Sequence, residues 1–319
     1  MSEKKVMIIG FNPALQKVLT FSSFHQGEVN RAESITYIHG GKGANYAKAL
    51  ALFGFDSMLF QFIGGGNGER YCKILNDECI DYKNCITEAE TRVCCTCIFE
   101  TAQSVTEIIE PSGVISHDEV IIMRQMILTS MKNYDAVCIC GTFPPGIDSS
   151  LYALIVKEAV KLRIPVLIDS YIGIDSVLKE GPDFLKINLK EFRDIVSESD
   201  LQSGVDKFFR DYKKVKVLAL TDGPNNSYLF TNSKFGKKDL GSKKLAYKLP
   251  YLDKVINPIG AGDTVGAGFI SSVLNGETYN CAFKKGLAAA SASCLEKNNA
   301  SFNTENLEIL LKKITEKSF

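Results

Sequence analysis

Residues 257–269 read Asn-Pro-Ile-Gly-Ala-Gly-Asp-Thr-Val-Gly-Ala-Gly-Phe, and this stretch decides how the chain is interpreted. Gly260 and Gly262 permit a tight turn whose backbone N–H groups can converge on one point. The residues that follow Asp263 are small and apolar through Leu274, which predicts a buried helix. A turn that opens a helix creates an anion site, because the first N–H groups of the helix point outward.

Asp263 lies where an anion would bind, so its presence needs a reason. One interpretation is that it caps the helix. A cap does not require the preceding Gly-Ala-Gly, however, and three small residues in a row indicate close approach by a ligand. We therefore interpret Asp263 as a general base that takes a proton from an attacking hydroxyl. The amides of Ala261, Gly262 and Asp263 would hold the phosphoryl group in transfer.

A second Gly-rich turn, His39-Gly-Gly-Lys-Gly-Ala-Asn45, precedes another predicted helix. Gly-rich turns before helices are common, so this signal is weak alone. It has neither P-loop nor dinucleotide-binding spacing. It offers a backbone surface for a polyhydroxyl ligand, with Lys42 and Asn45 as donors.

Strand-like and helix-like segments alternate along most of the chain, which is typical of a largely parallel sheet covered by helices on both faces. Two segments, at about 15–38 and 91–110, are instead rich in β-branched and aromatic residues. They predict a separate small sheet that acts as a lid over a cleft. Segment 231–248 is rich in Lys and Gly and predicts an exposed hairpin or loop. The predicted strands of the main sheet are Val6–Gly10, Ser57–Ile63, Asp135–Gly141, Pro165–Asp169, Phe184–Asn188 and Lys216–Thr221, and the first helices are Gly43–Phe53 and Glu69–Cys79.

Composition narrows the class of protein. Lys+Arg and Asp+Glu both number 37, so the net charge is zero, which argues against nucleic acid or a membrane surface as the main partner. No apolar run is long enough for a transmembrane helix or a signal peptide. The ten cysteines lack zinc-site spacing, so we interpret them as reduced thiols of a cytoplasmic protein.

The two Gly-rich motifs resemble the two signatures of the PfkB, or ribokinase-like, carbohydrate kinases, and the likeness extends over nearly the whole chain. Several shorter segments are similar to the 1-phosphofructokinase and tagatose-6-phosphate kinase branch. These segments are Asn12-Pro-Ala-Leu15, Gly27-Glu-Val-Asn-Arg31, Thr91-Arg92, Gly141-Thr-Phe-Pro-Pro-Gly146 and Asn188-Leu-Lys-Glu191.

The resemblance implies a single domain over 1–319, with a three-layer α/β/α core, a mainly parallel sheet and a small β-sheet lid. It implies ATP and Mg²⁺, with Asp263 as base and Gly260–Gly262 as anion hole. It implies that the nucleotide is bound by Asn188, Glu191, Thr221, Gly223 and Asn298, and that Glu191 contacts the metal through water. Around the sugar it implies Asn12, Gln16, Gly40, Gly41, Lys42, Asn45 and Arg92.

The acceptor expected from this branch is a primary hydroxyl of a sugar phosphate: fructose 1-phosphate, tagatose 6-phosphate or fructose 6-phosphate. Two alternatives stay open: a kinase for a free sugar or nucleoside, and a non-catalytic nucleotide and sugar-phosphate sensor. Gln16 stands where the branch has an Asp, and a neutral amide cannot be a charge-assisted acceptor. The family further implies a possible homodimer paired through the lid sheets, which would cover exposed edges.

Overall fold

The first apolar run of the chain becomes a central strand of the main sheet. The protein is described by a computed structural model that covers residues 4–99, 101, 104–235 and 244–319. The strands in these residues, in chain order, are β1 (Lys5–Ile9), β2 (Ala14–Phe21), β3 (Ser34–Gly40), β4 (Asp56–Ile63), β5 (Tyr82–Ile86), β6 (Val93–Phe99), β7 (Ser104–Ile109), β8 (Ala136–Cys140), β9 (Val166–Asp169), β10 (Phe184–Asn188), β11 (Val217–Thr221), β12 (Asn226–Thr231), β13 (Lys244–Lys248) and β14 (Thr315–Ser318).

Helices fill most of the intervals between the strands. They are α1 (Lys42–Leu52), α2 (Gly65–Asp77), α3 (His117–Ser130), α4 (Ser149–Lys161), α5 (Asp175–Glu180), α6 (Leu189–Val196), α7 (Leu201–Asp211), α8 (Ala261–Leu274), α9 (Tyr279–Ser293) and α10 (Thr304–Lys313). None of the helices in the described ranges is long and apolar enough to cross a membrane.

The main sheet has the strand order β14-β13-β12-β11-β10-β9-β8-β1-β4-β5. The seven strands from β11 to β5 are parallel to their neighbours, and β12, β13 and β14 add antiparallel pairs at one edge. Runs such as Val166–Asp169 are buried at every position, as expected of parallel strands covered on both faces.

Alternate residues of each central strand face opposite cores. Val6 and Ile8 pack into one core with residues of α1, α2, α8, α9 and α10. Met7 and Ile9 pack into the other core with residues of α3 to α7. This two-residue period places one helical layer on each side of the sheet. The prediction of a three-layer α/β/α fold with a mainly parallel sheet is confirmed.

A second sheet, with the order β3-β2-β6-β7, is formed by the two segments that lacked helices. Its middle strands run parallel, with Leu15 opposite Val93. Of the segment 91–110, residues 100, 102 and 103 lie outside the described ranges. Action of this sheet as a lid, and a single domain over 1–319, stay predictions.

The predicted hairpin or loop at 231–248 begins where β12 ends. Strands β12 and β13 pair antiparallel, with Asn226 opposite Lys248. Residues 236–243 of that segment lie outside the described ranges.

Candidate active site

The Gly-Ala-Gly turn places Asp263 in the first turn of α8. Gly260 precedes the helix with φ of 81°, a left-handed conformation that glycine adopts without steric cost. The amide of Ala261 donates to the Pro258 carbonyl at 3.2 Å, so it is not the outward-pointing donor that the sequence suggested. The amides of Gly262 and Asp263 donate to no residue in the described part of the chain. Two helix N–H groups therefore remain available beside a buried carboxylate.

The second Gly-rich turn brings the start of α1 against this carboxylate. Gly41 has φ of 95°, and a Cβ there would lie 3.1 Å from the Cα of Pro13. Asn45, one turn into α1, donates from Nδ2 to Asp263 Oδ2 at 2.7 Å. The two motifs, more than 200 residues apart in sequence, thus form one site.

Asp169, at the end of β9, is fully buried and binds two lysines. Lys42 Nζ lies 2.6 Å from Asp169 Oδ1, and Lys186 Nζ lies 2.7 Å from Oδ2. The hydroxyl of Tyr46 also donates to Oδ2, at 2.8 Å. Since the carboxyl ends of parallel strands meet at one edge of a sheet, β9 and β10 bring Asp169 and Lys186 together there.

The two buried carboxyl groups have opposite electrostatic surroundings. Burial raises the pKa of Asp263 to about 6, and Asp169 adds to this effect, although Lys42, Lys186 and Asn45 oppose it. Burial would also raise the pKa of Asp169, but Lys186 and Lys42 outweigh it and lower that pKa to about 2. Burial opposes the charge of Lys42, yet Asp169 and Asp263 hold its pKa above the ordinary value. A carboxyl group with a pKa near 6 suits a general base at neutral pH.

Asn12 stands between two small pockets that border the site. One pocket is also lined by Arg92 and Ser112, and the other by Gly41 and Lys42. The Asn12 side chain accepts from Ser112 at 2.7 Å and donates to Thr142 at 2.9 Å. Arg92 makes only long contacts to carbonyl oxygens, and its buried Nε has no hydrogen-bond partner among the described residues. A buried donor that lacks a partner costs free energy.

Gln16 of β2 and Gly40 of β3 are diagonal neighbours, because the register pairs Gly40 with Ala14. The side-chain amide of Gln16 donates to Thr96 Oγ1 on β6. Its Oε1 atom lies 3.1 Å from where a Cβ of Gly40 would be. The glutamine is buried and its amide is oriented by the small sheet.

The residues predicted on the nucleotide side follow the neighbouring strands β10 and β11. Asn188 and Thr221 are register partners at the ends of these strands. Asn188 Oδ1 accepts from the amide of Glu191, and Glu191 Oε2 accepts from the amide of Asn188, both at 2.8 Å. This reciprocal pair is a capping box at the start of α6. Gly223 has φ of 55° and open space around it.

Asn298 is not brought to Asp263 by any contact among the described residues. It is exposed and lines a groove with Lys48 and Glu78. The adjacent Asn299 is buried instead, and it donates from Nδ2 to Asn45 Oδ1 at 2.7 Å.

Sequence reasoning missed four residues of this site: Asp169, Lys186, Tyr46 and Asn299. The position of Asp169 at the end of a buried strand was an available signal. Tyr46 had no local signal, because the partner that needs it lies 123 residues away.

Among the described residues, no group of three or more His, Cys, Asp or Glu side chains is arranged to hold a metal ion. A magnesium ion at this site would therefore need phosphate oxygens and water among its ligands, as it commonly does.

Comparisons with known proteins identify a family and a shared fold. The family model described as pfkB family carbohydrate kinase matches residues 6–306. Tagatose-6-phosphate kinase of Staphylococcus epidermidis is 25% identical over 319 residues, covering 97% of this chain and 98% of that protein. Among solved structures, phosphofructokinase-2 from Escherichia coli in complex with potassium has a TM-score of 0.84 at 19% identity, covering 97% of this chain and 99% of that one. A possible 1-phosphofructokinase from Thermotoga maritima has a TM-score of 0.84 at 20% identity and covers 99% of each chain.

Proposed function

The chain belongs to the pfkB family of carbohydrate kinases, and on that premise we propose that it transfers the γ-phosphoryl group of ATP to a primary hydroxyl of a sugar phosphate. The acceptor would be fructose 1-phosphate, tagatose 6-phosphate or fructose 6-phosphate. One observation carries this proposal: a buried carboxylate, Asp263, stands beside the two unpaired amides that open α8.

Asp263 acts as the general base in this proposal. As the hydroxyl oxygen attacks the γ-phosphorus, its proton passes to Asp263 Oδ1, because Oδ2 is held by Asn45. The new O–P bond forms while the bond to the β-phosphate oxygen breaks, and ADP leaves. The raised pKa of Asp263, about 6, makes the carboxylate a better proton acceptor than an exposed Asp while leaving it ionised at neutral pH.

The turn Gly260–Gly262 serves as the anion hole. The amides of Gly262 and Asp263 supply its donors, whereas Ala261 shapes the turn through its bond to Pro258. Lys186 Nζ lies 3.4 Å from the place a Cβ of Gly262 would take. A positive charge therefore stands next to the turn, where it can stabilise charge developing on the equatorial oxygens.

Arg92 is proposed to bind the phosphate that the sugar already carries. The two terminal nitrogens of Arg92 make only long contacts to carbonyl oxygens, which leaves them available as donors, and an Arg fork matches phosphate geometry. A relative named tagatose-6-phosphate kinase supports this acceptor class. Asn12, Gln16, Lys42 and Asn45 would contact the sugar.

ATP would lie along the ends of β10 and β11, near Thr221 and Gly223, with Asn298 on the adenine side. Carbohydrate kinases of this family use ATP. Mg²⁺ would neutralise charge on the phosphate oxygens, and Glu191 would contact it through water.

We also propose that the enzyme works in the cytoplasm and pairs through the small sheet. All ten cysteines carry free thiols, in accord with a reducing compartment.

An ADP-release assay with magnesium-ATP tests the function against ketose phosphates, free hexoses, ribose and nucleosides. We expect turnover with one of the three sugar phosphates. Asp263→Asn should lower kcat by about three orders of magnitude or more while nucleotide affinity is largely kept. Near-normal turnover by Asp263→Asn would remove this residue from the role of base.

The same panel separates the alternatives. Turnover only with a free sugar or nucleoside would keep the chemistry and reject the sugar-phosphate acceptor. Nucleotide binding without turnover on any acceptor would favour a sensor.

A further inference from the structure

A chain of buried side chains leads from Asp263 toward the surface. Asn45 donates from Nδ2 to Asp263, and its own Oδ1 accepts from Asn299 Nδ2; both distances are 2.7 Å. Both asparagines are almost fully buried. Asn299 Nδ2 also lies 3.4 Å from the carbonyl oxygen of His39 and 3.5 Å from its Nδ1 atom.

His39 connects this chain to a charged pair. Its ring is completely buried, and Nε2 lies 3.1 Å from Glu78 Oε2. The alignment of these two atoms falls short of a hydrogen bond, so the contact is electrostatic. Lys48 Nζ lies 2.8 Å from the same carboxylate oxygen.

The donors and acceptors of this chain fit one another in the following arrangement. A carboxylate can only accept, so Asn45 must turn Nδ2 toward Asp263 and Oδ1 away from it. That Oδ1 then needs a donor, which Asn299 supplies. Asn299 Nδ2 in turn needs acceptors, and Nδ1 of His39 accepts only when the ring proton is on Nε2. Glu78 favours that tautomer because its carboxylate faces Nε2.

We propose that Asn299 and His39 are positioning residues that fix the rotation of the Asn45 amide, so that its Nδ2, and not its Oδ1, faces the catalytic carboxylate. The proposal rests on the role of Asp263 proposed above. If Asn45 turned over, its carbonyl oxygen would face the carboxylate, disfavour the ionised form and shift the oxygen that must take the proton.

The first test is Asn299→Asp, which offers Asn45 an acceptor where it now has a donor, so that two carboxylates compete for Nδ2 of Asn45 and the bond to Asp263 is weakened. The charged groups that face Asp263, which are Lys42, Asp169 and Lys186, stay in place, as do Glu78 and Lys48 beside His39. We expect kcat/KM to fall about tenfold or more. The acid limb of its pH profile, where kcat/KM falls as Asp263 is protonated, should move up by about one pH unit. Ionisation of the substrates affects the pH profiles of all variants equally, so it does not contribute to the shift between them.

Asn303→Asp is the matched control, because it makes the same change from amide to carboxylate at an exposed position four residues away, where the side-chain oxygen can still cap α10. Its acid limb should stay within about 0.3 pH units of the wild type. An equal shift in both variants would mean that charge alone acts, and would overturn the proposal.

A second pair of variants carries no new negative charge. In His39→Asn the side-chain oxygen takes the place of Nδ1 and can still accept from Asn299, whereas His39→Leu removes the side-chain acceptor and leaves only the backbone carbonyl oxygen of residue 39. We expect His39→Asn to keep the wild-type acid limb and His39→Leu to shift it, with thermal unfolding showing that both are folded. If folded His39→Leu and Asn299→Asp keep the wild-type limb, the proposal is wrong.

Failure of this inference is distinguishable from failure of the proposed function. An inactive Asp263→Asn together with unshifted limbs would reject only the positioning chain. An active Asp263→Asn would reject the base itself, and the positioning role with it.

Discussion

Asp263 and Asp169 are both buried carboxyl groups at the ends of elements, and their partners separate their roles. Asp169 binds two ammonium groups and a hydroxyl, so it is stable as an ion and a poor proton acceptor. Asp263 receives one neutral amide, and burial keeps its pKa near 6. Asp263, whose negative charge is less stabilised by its partners, is therefore the carboxylate suited to take a proton.

The raised pKa of Asp263 implies that its ionisation opposes folding. In an unfolded chain an Asp titrates near about 3.9, so stability is lost as pH rises from about 4 to 6. We expect Asp263→Asn to become more stable than the wild type over that interval, by about 3 kcal/mol at neutral pH. Urea unfolding of both proteins at a series of pH values measures this difference. A difference that does not change with pH would contradict it.

Asp169 should behave in the opposite way. Its pKa is lowered to about 2, so its contribution to stability is present above about pH 4 and is lost as pH falls toward 2. At neutral pH, Asp169→Asn would leave Lys42 and Lys186 without their counter-ion, and we expect a loss of about 3 kcal/mol in urea unfolding.

The control for this prediction is Glu158→Gln, which removes the surface ion pair with Lys161. Such exposed pairs contribute less than about 1 kcal/mol. Equal losses in the free energy of unfolding would show that the buried ion pairs of Asp169 contribute no more to stability than an exposed pair.

At the scale of elements, α8 is closely packed between two helices. On one side Gly266 leaves room for the hydroxyl of Tyr46 on α1, since a Cβ there would lie 1.7 Å from that oxygen. On the other side Gly268 meets Gly286 of α9, with a Cβ-to-Cα distance that would be 2.8 Å. The glycines after Asp263 therefore serve packing, and packing holds the two site-bearing helices together.

Gly266→Ala should displace Tyr46 from Asp169. We expect a loss of stability of about 2 kcal/mol or more, because overpacking forces side chains and backbone to shift. Kinase activity should fall with it, because α1 carries both Lys42 and Asn45.

Gly66→Ala is the matched control for this substitution. Gly66 lies exposed in the first turn of α2, where the nearest atom to a new Cβ is 3.9 Å away. Alanine favours a helix over glycine by up to about 1 kcal/mol, so this variant should be as stable as the wild type or more so. Thermal unfolding of both variants measures the difference. A Gly266→Ala variant as stable as the wild type would contradict close packing at this position.

Sequence patterns predicted elements better than contacts between them. The strand Phe184–Asn188 has the predicted bounds, and Pro165–Asp169 begins one residue later than predicted, because buried apolar runs are local signals. The Lys42–Asp169 contact depends on which strands neighbour each other, and no local pattern encodes that order. The free amide expected at Ala261 depended on the exact path of the turn, which the glycines permit but do not determine.

At the scale of the whole molecule, the small sheet leaves an apolar strand exposed. Every residue of β7 is exposed, and Val105, Ile108 and Ile109 are each more than half accessible, at 57%, 59% and 59%. Since β7 is an edge strand of its sheet, its unpaired backbone groups can pair with another copy. This arrangement supports the proposed homodimer.

We expect Ile109→Glu to shift the protein from dimer to monomer in sedimentation velocity at micromolar concentration, because it places a charge within the pairing surface. Ile122→Glu, at an exposed position on α3, should leave the assembly unchanged. A monomeric wild type would contradict pairing through this sheet.

The hydrogen bonds that join the two halves of the site also set the order in which it can be made. Asn45 and Asp263 are 218 residues apart, and Asn45 and Asn299 are 254 apart. Chains emerge from the ribosome N-terminus first. The Gly-rich turn before α1, which carries Lys42 and Asn45, is therefore synthesised long before Asp263. Asp263, the proposed base, is added only when most of the protein has been synthesised. A nascent or prematurely terminated copy that lacks α8 therefore cannot form the site. Such an incomplete chain cannot transfer phosphate from a nucleotide.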